Sequence, residues 1–320
     1  MNLGLIGLGR HGTRYANHLL GPDSPGRLVA ICRRDETLGQ AFAKQHALRF
    51  HQAYHSLIAD PEVEAIIVVT PPSLTQPIAM EAIQQRKPLL IEKPLAASAS
   101  DARQIAAHAS NANIPIMTAH TLRYDKTIAA LKDWAQDIGA WQYLSFTTRL
   151  ERRPHSQDEI TAWNNRGALL EIGIHVLDLA RFLTQEEIRD VHCETNKHAP
   201  NEPENHAWGR LTTQSGTPCL FDASRMSDSR MTQIEIIGQT RQLCANWSTS
   251  TIIRQNQRDQ PEVLQLSPTP TIPLVINDFV QALRTGTAMS ITAEDGLRAV
   301  EIAEACYQSA DQKHVVTLQR

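Results

Sequence analysis

Short apolar runs alternate with amphipathic stretches through the first third of the chain. The apolar runs predict buried strands at residues 2–7, 27–32, 64–69, 88–91 and 114–118, with a shorter strand near 48–50. The stretches between them predict helices at residues 10–20, 36–47, 53–59, 73–86 and 98–110. Apolar strands separated by helices are typical of a parallel sheet covered on both faces. We therefore predict a doubly wound α/β Rossmann domain over residues 1–121.

A different pattern begins near residue 122. It predicts a helix over 124–138, a strand over 141–150, a polar loop to 166 and an apolar helix over 168–183. Strand-like segments joined by short polar turns follow, at 188–195, 205–213, 218–225, 231–237 and 241–247. Their spacing indicates an antiparallel meander, whereas the Gln- and Pro-rich stretch 255–273 indicates a surface excursion. Two helices, near 273–285 and 293–310, complete a predicted α+β domain over 122–320 with a large open, mostly antiparallel sheet.

Composition narrows the partners that the protein can have. The net charge of the 320 residues is −3 and no block of like charges occurs, which argues against binding to nucleic acid or to a membrane surface. The five cysteines are scattered and form no CxxC pair, so neither a disulfide framework nor a metal site is expected. The apolar N-terminus is too short for a signal peptide, and no apolar run approaches a membrane span. A reduced, cytoplasmic protein is the simplest expectation.

A glycine-rich loop lies where the first strand passes into the first helix. It runs from Gly7 to Gly12, with Gly9, Arg10 and His11 between them. In a dinucleotide-binding loop the first glycine permits a tight turn, the second admits the pyrophosphate and the third allows close helix packing. The helix N-terminus adds free N–H groups and a positive dipole end. The βαβ context favours this interpretation over an ordinary glycine turn.

The second strand ends where a Rossmann domain normally contacts the adenosine ribose. An acidic residue there binds the 2′-hydroxyl, whereas an arginine accommodates a 2′-phosphate. This chain has Arg33 and Arg34, followed by Asp35. Because guanidinium stays charged and binds phosphate in a bidentate manner, we predict NADP(H), with NAD(H) as the alternative cofactor. In that alternative the arginines are solvated and Asp35 contacts the ribose.

Polar residues interrupt the apolar helix 168–183 at a helical spacing. Glu171, His175 and Asp178 fall at i, i+4 and i+7, along one line of the predicted helix. Buried carboxylates and imidazoles need partners, so the line is either functional or a satisfied hydrogen-bond network. We favour function for Glu171 and His175, and the structural network for Asp178. Lys93 follows a sheet strand at the edge where α/β sheets bind ligands, although a surface salt bridge would also explain it.

Several segments together resemble the glucose–fructose oxidoreductase / inositol dehydrogenase / MocA family over nearly the whole chain. They are GLIGLGRHG at 4–12, VVTPPS at 68–73, IEKPLA at 91–96, AHTLRYD at 119–125, GALLEIGIHVLD at 167–178 and ITAEDGLRAVEIAEACYQSA at 291–310. The resemblance implies that Lys93 lies beside the nicotinamide and substrate, and that Glu171 and His175 supply a carboxylate and an imidazole. It also implies cofactor contacts from the second and third segments, at Thr70, Pro71, Glu92 and Lys93.

Two departures from the family pattern bear on the substrate. The carboxylate that is usually aspartate is Glu171 here, one methylene longer, and Thr75 stands where the family often has histidine. These two departures affect the predicted class of substrate more than the predicted reaction.

The predicted activity is reversible hydride transfer between NADP(H) and a carbon bearing a hydroxyl or carbonyl, with a sugar, cyclitol or related polyol as substrate. His175 would exchange the proton, because an imidazole titrates near neutral pH. Lys93 would stabilise alkoxide character, and Glu171 would orient His175 or a second hydroxyl. The alternatives are a cofactor-retaining glycosidase and a non-catalytic sensor. The resemblance also implies a homodimer or homotetramer.

Overall fold

A computed structural model describes residues 1–153, 156–200, 202–255 and 260–318. The chain divides into two compact units, Met1–His120 with Thr271–Leu297 and Thr121–Pro270 with Arg298–Arg320. The break after His120 lies one residue from the predicted boundary. Residues 271–297, in contrast, belong to the first unit although the sequence had placed them with the second.

The first unit contains the predicted parallel sheet. Its six strands are β1 (Asn2–Ile6), β2 (Arg27–Cys32), β3 (Arg49–His51), β4 (Ala65–Val68), β5 (Leu89–Glu92) and β6 (Ile116–Ala119). They are ordered β3-β2-β1-β4-β5-β6 and pair in parallel throughout. The connecting helices are α1 (Arg10–Leu19), α2 (Glu36–Gln45), α3 (Tyr54–Ile58), α4 (Thr75–Gln84) and α5 (Ala99–Ala112). Successive strands are added on one side of β1 as far as β3 and on its other side from β4 onward. Such sheets bind ligands at the point between β1 and β4 where this order reverses.

The second unit is built on a nine-stranded sheet. Its strands are β7 (Trp141–Glu151), β8 (Ile188–Asn196), β9 (His206–Thr213), β10 (Pro218–Ser227), β11 (Met231–Gly238), β12 (Gln242–Asn246), β13 (Thr251–Gln255), β14 (Glu262–Gln265) and β15 (Val316–Thr317). The order is β14-β13-β12-β11-β7-β10-β9-β8-β15, and only the β7–β10 pair is parallel. The fold class predicted from the sequence is therefore confirmed.

The predicted meander is wrong at one junction. β10 and β11 are not neighbours, because β7 lies between them and pairs with both. The three residues that link β10 to β11 had indicated a hairpin. They can instead bridge two strand spacings, about 9.6 Å, because an extended residue spans about 3.3 Å.

The helices of the second unit are α6 (Lys126–Trp134), α7 (Gln157–Ala162) and α8 (Ile174–Thr184), the last preceded by a π-helical turn over Leu169–Gly173. α7 lies in the predicted polar loop. β14 is a largely exposed edge strand within the predicted surface excursion, where no strand had been predicted. Residues 256–259 of the excursion lie outside the described part of the chain.

Two helices close the chain, α9 (Thr271–Thr285) and α10 (Ala293–Gln312). α9 buries an apolar face, including Ile276 and Phe279, and contacts α1 of the first unit. At the start of α10, a Cβ on Gly296 would lie 2.3 Å from Oγ1 of Thr118 in β6. This close packing explains why residues 271–297 belong to the first unit. No helix in the described ranges is both long enough and apolar enough to span a bilayer.

Candidate functional site

The glycine loop between β1 and α1 is shaped by three different steric requirements. Gly7 has φ of +98°, and a Cβ there would lie 2.2 Å from the carbonyl oxygen of Val69. A Cβ on Gly12 would lie 1.8 Å from the carbonyl oxygen of Gly7, so the first turn of α1 packs directly on the loop. At Gly9, by contrast, no described atom outside its immediate neighbours lies within 4 Å of a Cβ. The loop thus leaves open space at its second glycine, as a pyrophosphate requires.

The N-terminus of α1 faces the same open loop. Gly9 is the N-cap and supplies no side-chain hydrogen bond, and the first turn, which contains Arg10 and His11, has no acidic residue. The N–H groups of a first helical turn have no partner within the helix, and the dipole adds partial positive charge. These features fit the phosphates of a dinucleotide.

A buried carboxylate connects α1 to the end of β5. Glu92, whose side chain is 8% exposed, lies 2.8 Å from Nε2 of His11 and accepts a hydrogen bond of 3.0 Å from the Tyr15 hydroxyl. Burial by itself would raise the pKa of Glu92. The hydrogen bond and charge of His11, the charge of Lys93 and the bond from Tyr15 outweigh burial, so the pKa lies below its usual value. Glu92 therefore holds the helix that follows the glycine loop.

Glu92→Gln is expected to reduce the free energy of unfolding at neutral pH by about 1–3 kcal/mol, because hydrogen bonds to a charged acceptor are lost. A lowered folded-state pKa means that the stabilisation is present above the unfolded-state pKa and is lost as pH falls through the folded value. Denaturant unfolding from neutral to acid pH should show a wild-type loss that Glu92→Gln lacks. Glu36→Gln, at an exposed glutamate of α2, is the control. Identical pH profiles for wild type and Glu92→Gln would contradict this role.

The residues after β2 lie beside the glycine loop. Arg33 donates a hydrogen bond of 2.9 Å from Nη1 to the carbonyl oxygen of Leu8, whereas Arg34 is exposed. Asp35 is the N-cap of α2, and its carboxylate accepts a hydrogen bond of 2.9 Å from the N–H of Leu38. Asp35 therefore caps α2, and the guanidinium of Arg33 borders the glycine loop.

The remaining predicted residues of the first unit lie at the ends of β4 and β5. Thr70 and Pro71 follow β4, and both are half-buried. Lys93 follows β5 directly and is also half-buried, and its peptide bond to Pro94 is cis. All three lie at the carboxyl edge of the parallel sheet, a position that the sequence had predicted for Lys93 from the strand before it.

The polar line in the second unit begins on the π-helical turn rather than on a regular helix. Glu171 lies within Leu169–Gly173, and His175 is the second residue of α8. A π-turn closes its hydrogen bonds from i to i+5, so residues four apart are not one regular turn apart. The regular spacing inferred from the sequence was therefore wrong for this pair. π-Turns are frequent at functional sites.

Asp178 has a structural partner, which confirms the prediction for this residue. Its two carboxylate oxygens accept hydrogen bonds of 2.9 and 2.6 Å from Arg123, and Asp178 is 1% exposed. Arg123 also stacks over the ring of Phe182. The pair ties α8 to the 3₁₀ turn Thr121–Tyr124, which precedes α6.

Glu171 binds an arginine that the sequence analysis missed. Arg225 of β10 donates hydrogen bonds of 2.7 Å to Oε2 and 2.9 Å to Oε1, a bidentate pair. A second guanidinium, that of Arg153, lies 3.5 Å from Oε1. Arg225 continues the inward-facing register of Phe221 and Ala223 in the same strand, and a charged residue at an inward position was the signal available in the sequence.

Another buried carboxylate binds backbone N–H groups at the start of the π-helical turn. Glu204 accepts hydrogen bonds from the N–H groups of Gly167, at 2.9 Å, and Leu169, at 3.1 Å, and from the hydroxyl of Tyr307 at 2.6 Å. Burial raises the pKa of Glu204, although these donors oppose it. A cavity of about 340 Å³ lies beside Glu204 and Glu171.

Models of known protein families match two segments of the chain. Residues 1–120 match a family model described as an oxidoreductase family with an NAD-binding Rossmann fold, and residues 129–243 match the GFO/IDH/MocA C-terminal domain. The chain is 24% identical to myo-inositol 2-dehydrogenase of Thermotoga maritima over 334 aligned residues, which cover 100% of this chain and 99% of that protein. It is 26% identical to inositol 2-dehydrogenase of Rubrobacter xylanophilus, covering 96% and 90% of the two chains.

A solved structure shows the same fold. Levoglucosan dehydrogenase, in complex with NADH and levoglucosan, superposes with a TM-score of 0.88 and 22% sequence identity, covering 100% of both chains. This likeness extends over both sheets.

Proposed function

The chain belongs to the glucose–fructose oxidoreductase / inositol dehydrogenase / MocA family, and we propose that it transfers a hydride between NADP(H) and a hydroxyl- or carbonyl-bearing carbon of a sugar, cyclitol or related polyol. Membership makes it an NAD(P)-dependent oxidoreductase acting on CH–OH groups. The observation that carries the proposal is the glycine loop, which leaves open space at Gly9 beside the uncapped N-terminus of α1.

The proposed cofactor contacts all lie in the first unit. Gly7, Gly9 and Gly12 shape the loop, and the loop residues Arg10 and His11 begin α1. Thr70, Pro71, Glu92 and Lys93 are proposed to border the cofactor at the carboxyl edge of the sheet. When bound, the nicotinamide would supply the hydride acceptor or donor.

The protein's own residues are proposed to handle the proton and the charge. His175 would take the proton from a substrate hydroxyl or return it to a carbonyl oxygen. Lys93 would stabilise the negative charge that develops on a substrate oxygen. Glu171 was predicted to orient His175 or a second hydroxyl. Its bidentate pair with Arg225 fixes the orientation of the carboxylate beside the cavity, which supports either role.

The activity is tested by supplying the purified protein with a panel of polyols, sugars, sugar acids and ketones while following the absorbance of NADPH and NADH. We expect net reduction or oxidation of added cofactor with at least one polyol or sugar. A cofactor-retaining glycosidase would instead cleave glycosides without net change in added cofactor. A sensor would bind a ligand without turnover.

A preference for NADP(H) is the finer part of the proposal, supported by the position of Arg33 beside the glycine loop and by the capping role of Asp35. Arg33→Gln should lower affinity for NADPH by about 10- to 150-fold, because a charged contact to the 2′-phosphate contributes about 1.5–3 kcal/mol. Affinity for NADH should change little. Arg27→Gln removes the same charge at the other end of β2 and serves as the control. Titrations that give equal wild-type affinities for the two cofactors would exclude the preference.

A further inference from the structure

The helical segment that contains the π-helical turn begins at Ala168, and a residue far along the chain binds its first N–H groups. Such groups have no partner within a helix, and a neighbouring Ser, Thr, Asp or Asn side chain usually accepts from them. Here both carboxylate oxygens of Glu204 accept from the N–H of Gly167 at 2.9 Å, and one accepts from that of Leu169 at 3.1 Å. The carbonyl oxygen of Glu204 accepts from the N–H of Ala168 at 2.8 Å. Glu204 therefore caps three successive N–H groups.

The contact between Glu204 and the start of the segment is close and buried. A Cβ on Gly167 would lie 1.9 Å from the carbonyl oxygen of Glu204, so only glycine allows the two backbones to approach this closely. Glu204 is 4% exposed, and the hydroxyl of Tyr307 in α10 donates a further hydrogen bond of 2.6 Å to its Oε1. The guanidinium of Arg166 lies over the Tyr307 ring, 3.9 Å from its centre. A buried carboxylate with these donors holds the start of the segment at one position.

The segment is also held beyond the π-helical turn. Asp178 in α8 accepts two hydrogen bonds from Arg123, and the turn Leu169–Gly173 contacts β10 between the two anchors. A π-turn closes its hydrogen bonds from i to i+5, and so contains one residue more than a regular α-helical turn. Because both ends are anchored, that extra residue cannot leave the turn without breaking one of the two sets of contacts.

The start of the segment therefore decides the direction in which Glu171 points. If the start moved by one residue, the π-turn could relax to a regular α-helix. Glu171 would then rotate by about 100° around the helix axis, since an α-helix has about 3.6 residues per turn. That rotation would remove its carboxylate from Arg225, which donates to it at 2.7 and 2.9 Å. His175 would keep its place, because it lies within α8.

We propose that Glu204 is a positioning residue. It fixes the start of the helical segment, retains the extra residue in the π-turn and so holds Glu171 against Arg225 beside the cavity. The inference rests on the proposed function, in which Glu171 orients His175 or a substrate hydroxyl. Glu204 acts on substrate binding and turnover through Glu171.

Hydrogen–deuterium exchange of the full chain tests the cap without a substrate. Glu204→Gln replaces one carboxylate oxygen with an NH₂ group, which cannot accept a hydrogen bond. Exchange of the amides of residues 167–173 should become about 10- to 150-fold faster, because hydrogen bonds to a charged acceptor contribute about 1.5–3 kcal/mol.

Two further variants make the exchange result specific. Glu186→Gln is the matched control, because Glu186 follows α8 in the same unit and accepts a hydrogen bond of 2.8 Å from the N–H of Ser215. It should leave exchange of residues 167–173 unchanged. Tyr307→Phe removes only the hydroxyl that donates to Glu204, and should accelerate the same exchange by a smaller factor. This variant keeps the test available if Glu204→Gln does not fold.

The free energy of unfolding shows whether Glu204 acts on Glu171. Glu171→Gln loses the charged pair with Arg225 in an otherwise wild-type chain. In Glu204→Gln that pair should already be broken, so adding Glu171→Gln should cost less stability than it does alone. Direct repulsion between the two carboxylates would give the opposite sign, because removing Glu204 would then increase the contribution of Glu171. The corresponding cycle with Glu186→Gln should be additive.

Kinetics with a substrate from the panel complete the test. Glu204→Gln should lower kcat/KM by about 10- to 100-fold, as expected for a misplaced group, and leave the dissociation constant of the cofactor unchanged. Its combination with Glu171→Gln should lose less than the product of the single losses. An unchanged kcat/KM in Glu204→Gln would overturn the positioning role even if exchange is faster.

Failure of this inference is distinguishable from failure of the proposed function. Unchanged exchange of residues 167–173, or an additive unfolding cycle between Glu204 and Glu171, would overturn the inference whether or not any substrate is turned over. Faster exchange and a cycle of the expected sign in a protein without redox activity would support the cap and its action on Glu171, and would overturn the proposed function.

Discussion

His175→Ala lowers kcat by about 10²–10⁴-fold, and Lys93→Met lowers it by a similar factor or more, while the affinity for the nicotinamide cofactor changes little. The expected decrease in kcat reflects the loss of general acid–base catalysis in His175→Ala and the loss of charge stabilisation in Lys93→Met. The measurements are kcat and kcat/KM with a substrate from the panel, beside the dissociation constant of the cofactor. If both groups act on one substrate oxygen, the double variant loses less than the product of the single losses.

Asp178→Asn is the control for damage to α8. Asp178 is on the same helix as His175 but is paired with Arg123, so its substitution should lower the free energy of unfolding and leave kcat nearly unchanged. A near-normal kcat in a folded His175→Ala variant would show that His175 is a structural histidine. Parallel losses of cofactor affinity and rate in every variant would instead favour the sensor.

Gly9→Val abolishes cofactor binding in calorimetric titration, whereas Gly9→Ala weakens it. A side chain at this position would occupy the open space that the pyrophosphate needs to reach the loop backbone. The backbone at Gly9 has φ of −84°, in the extended region, so valine introduces no backbone strain. The change in the free energy of unfolding should therefore remain within about 1 kcal/mol, the range expected for a change of N-cap residue.

Gly12→Ala provides the contrasting result. Its Cβ would lie 1.8 Å from the carbonyl oxygen of Gly7, so this smaller substitution should destabilise the first unit. Thermal unfolding of the three glycine variants separates a binding defect from a folding defect. Undiminished cofactor binding by folded Gly9→Val would show that the loop does not hold the pyrophosphate.

Local patterns in the sequence predicted the parts of the site that depend on neighbouring residues. The strand–loop–helix order around Gly9, the position of Lys93 after β5 and the placement of His175 on a helix all follow from periodicity and glycine spacing. The structural role of Asp178 also followed, because a buried carboxylate on an apolar helix must have a partner. The identity of that partner, Arg123, is not visible in a pattern around residue 178.

The structure differs from the sequence predictions where contacts join distant segments of the chain. Arg225 lies 54 residues from Glu171, and Tyr15 lies 77 residues from Glu92, so no local pattern links them. The inward register of Arg225 could have been read from β10, but the carboxylate opposite it depends on which helix covers the sheet. The packing of α9 against α1 similarly assigns residues 271–297 to the first unit.

The sequence by itself determined the two sheets, the glycine loop and the helix that carries His175, because each is encoded by hydrophobic periodicity or by residue types at short spacing. The class of chemistry was implied by the resemblance of several segments to a known family. Only the tertiary structure decided the insertion of β7 between β10 and β11, the π-turn at Glu171, its pairing with Arg225 and the cavity beside this pair. These features depend on strand neighbours and on the pairing of buried charges, which are selected by packing across the whole unit rather than by local preference.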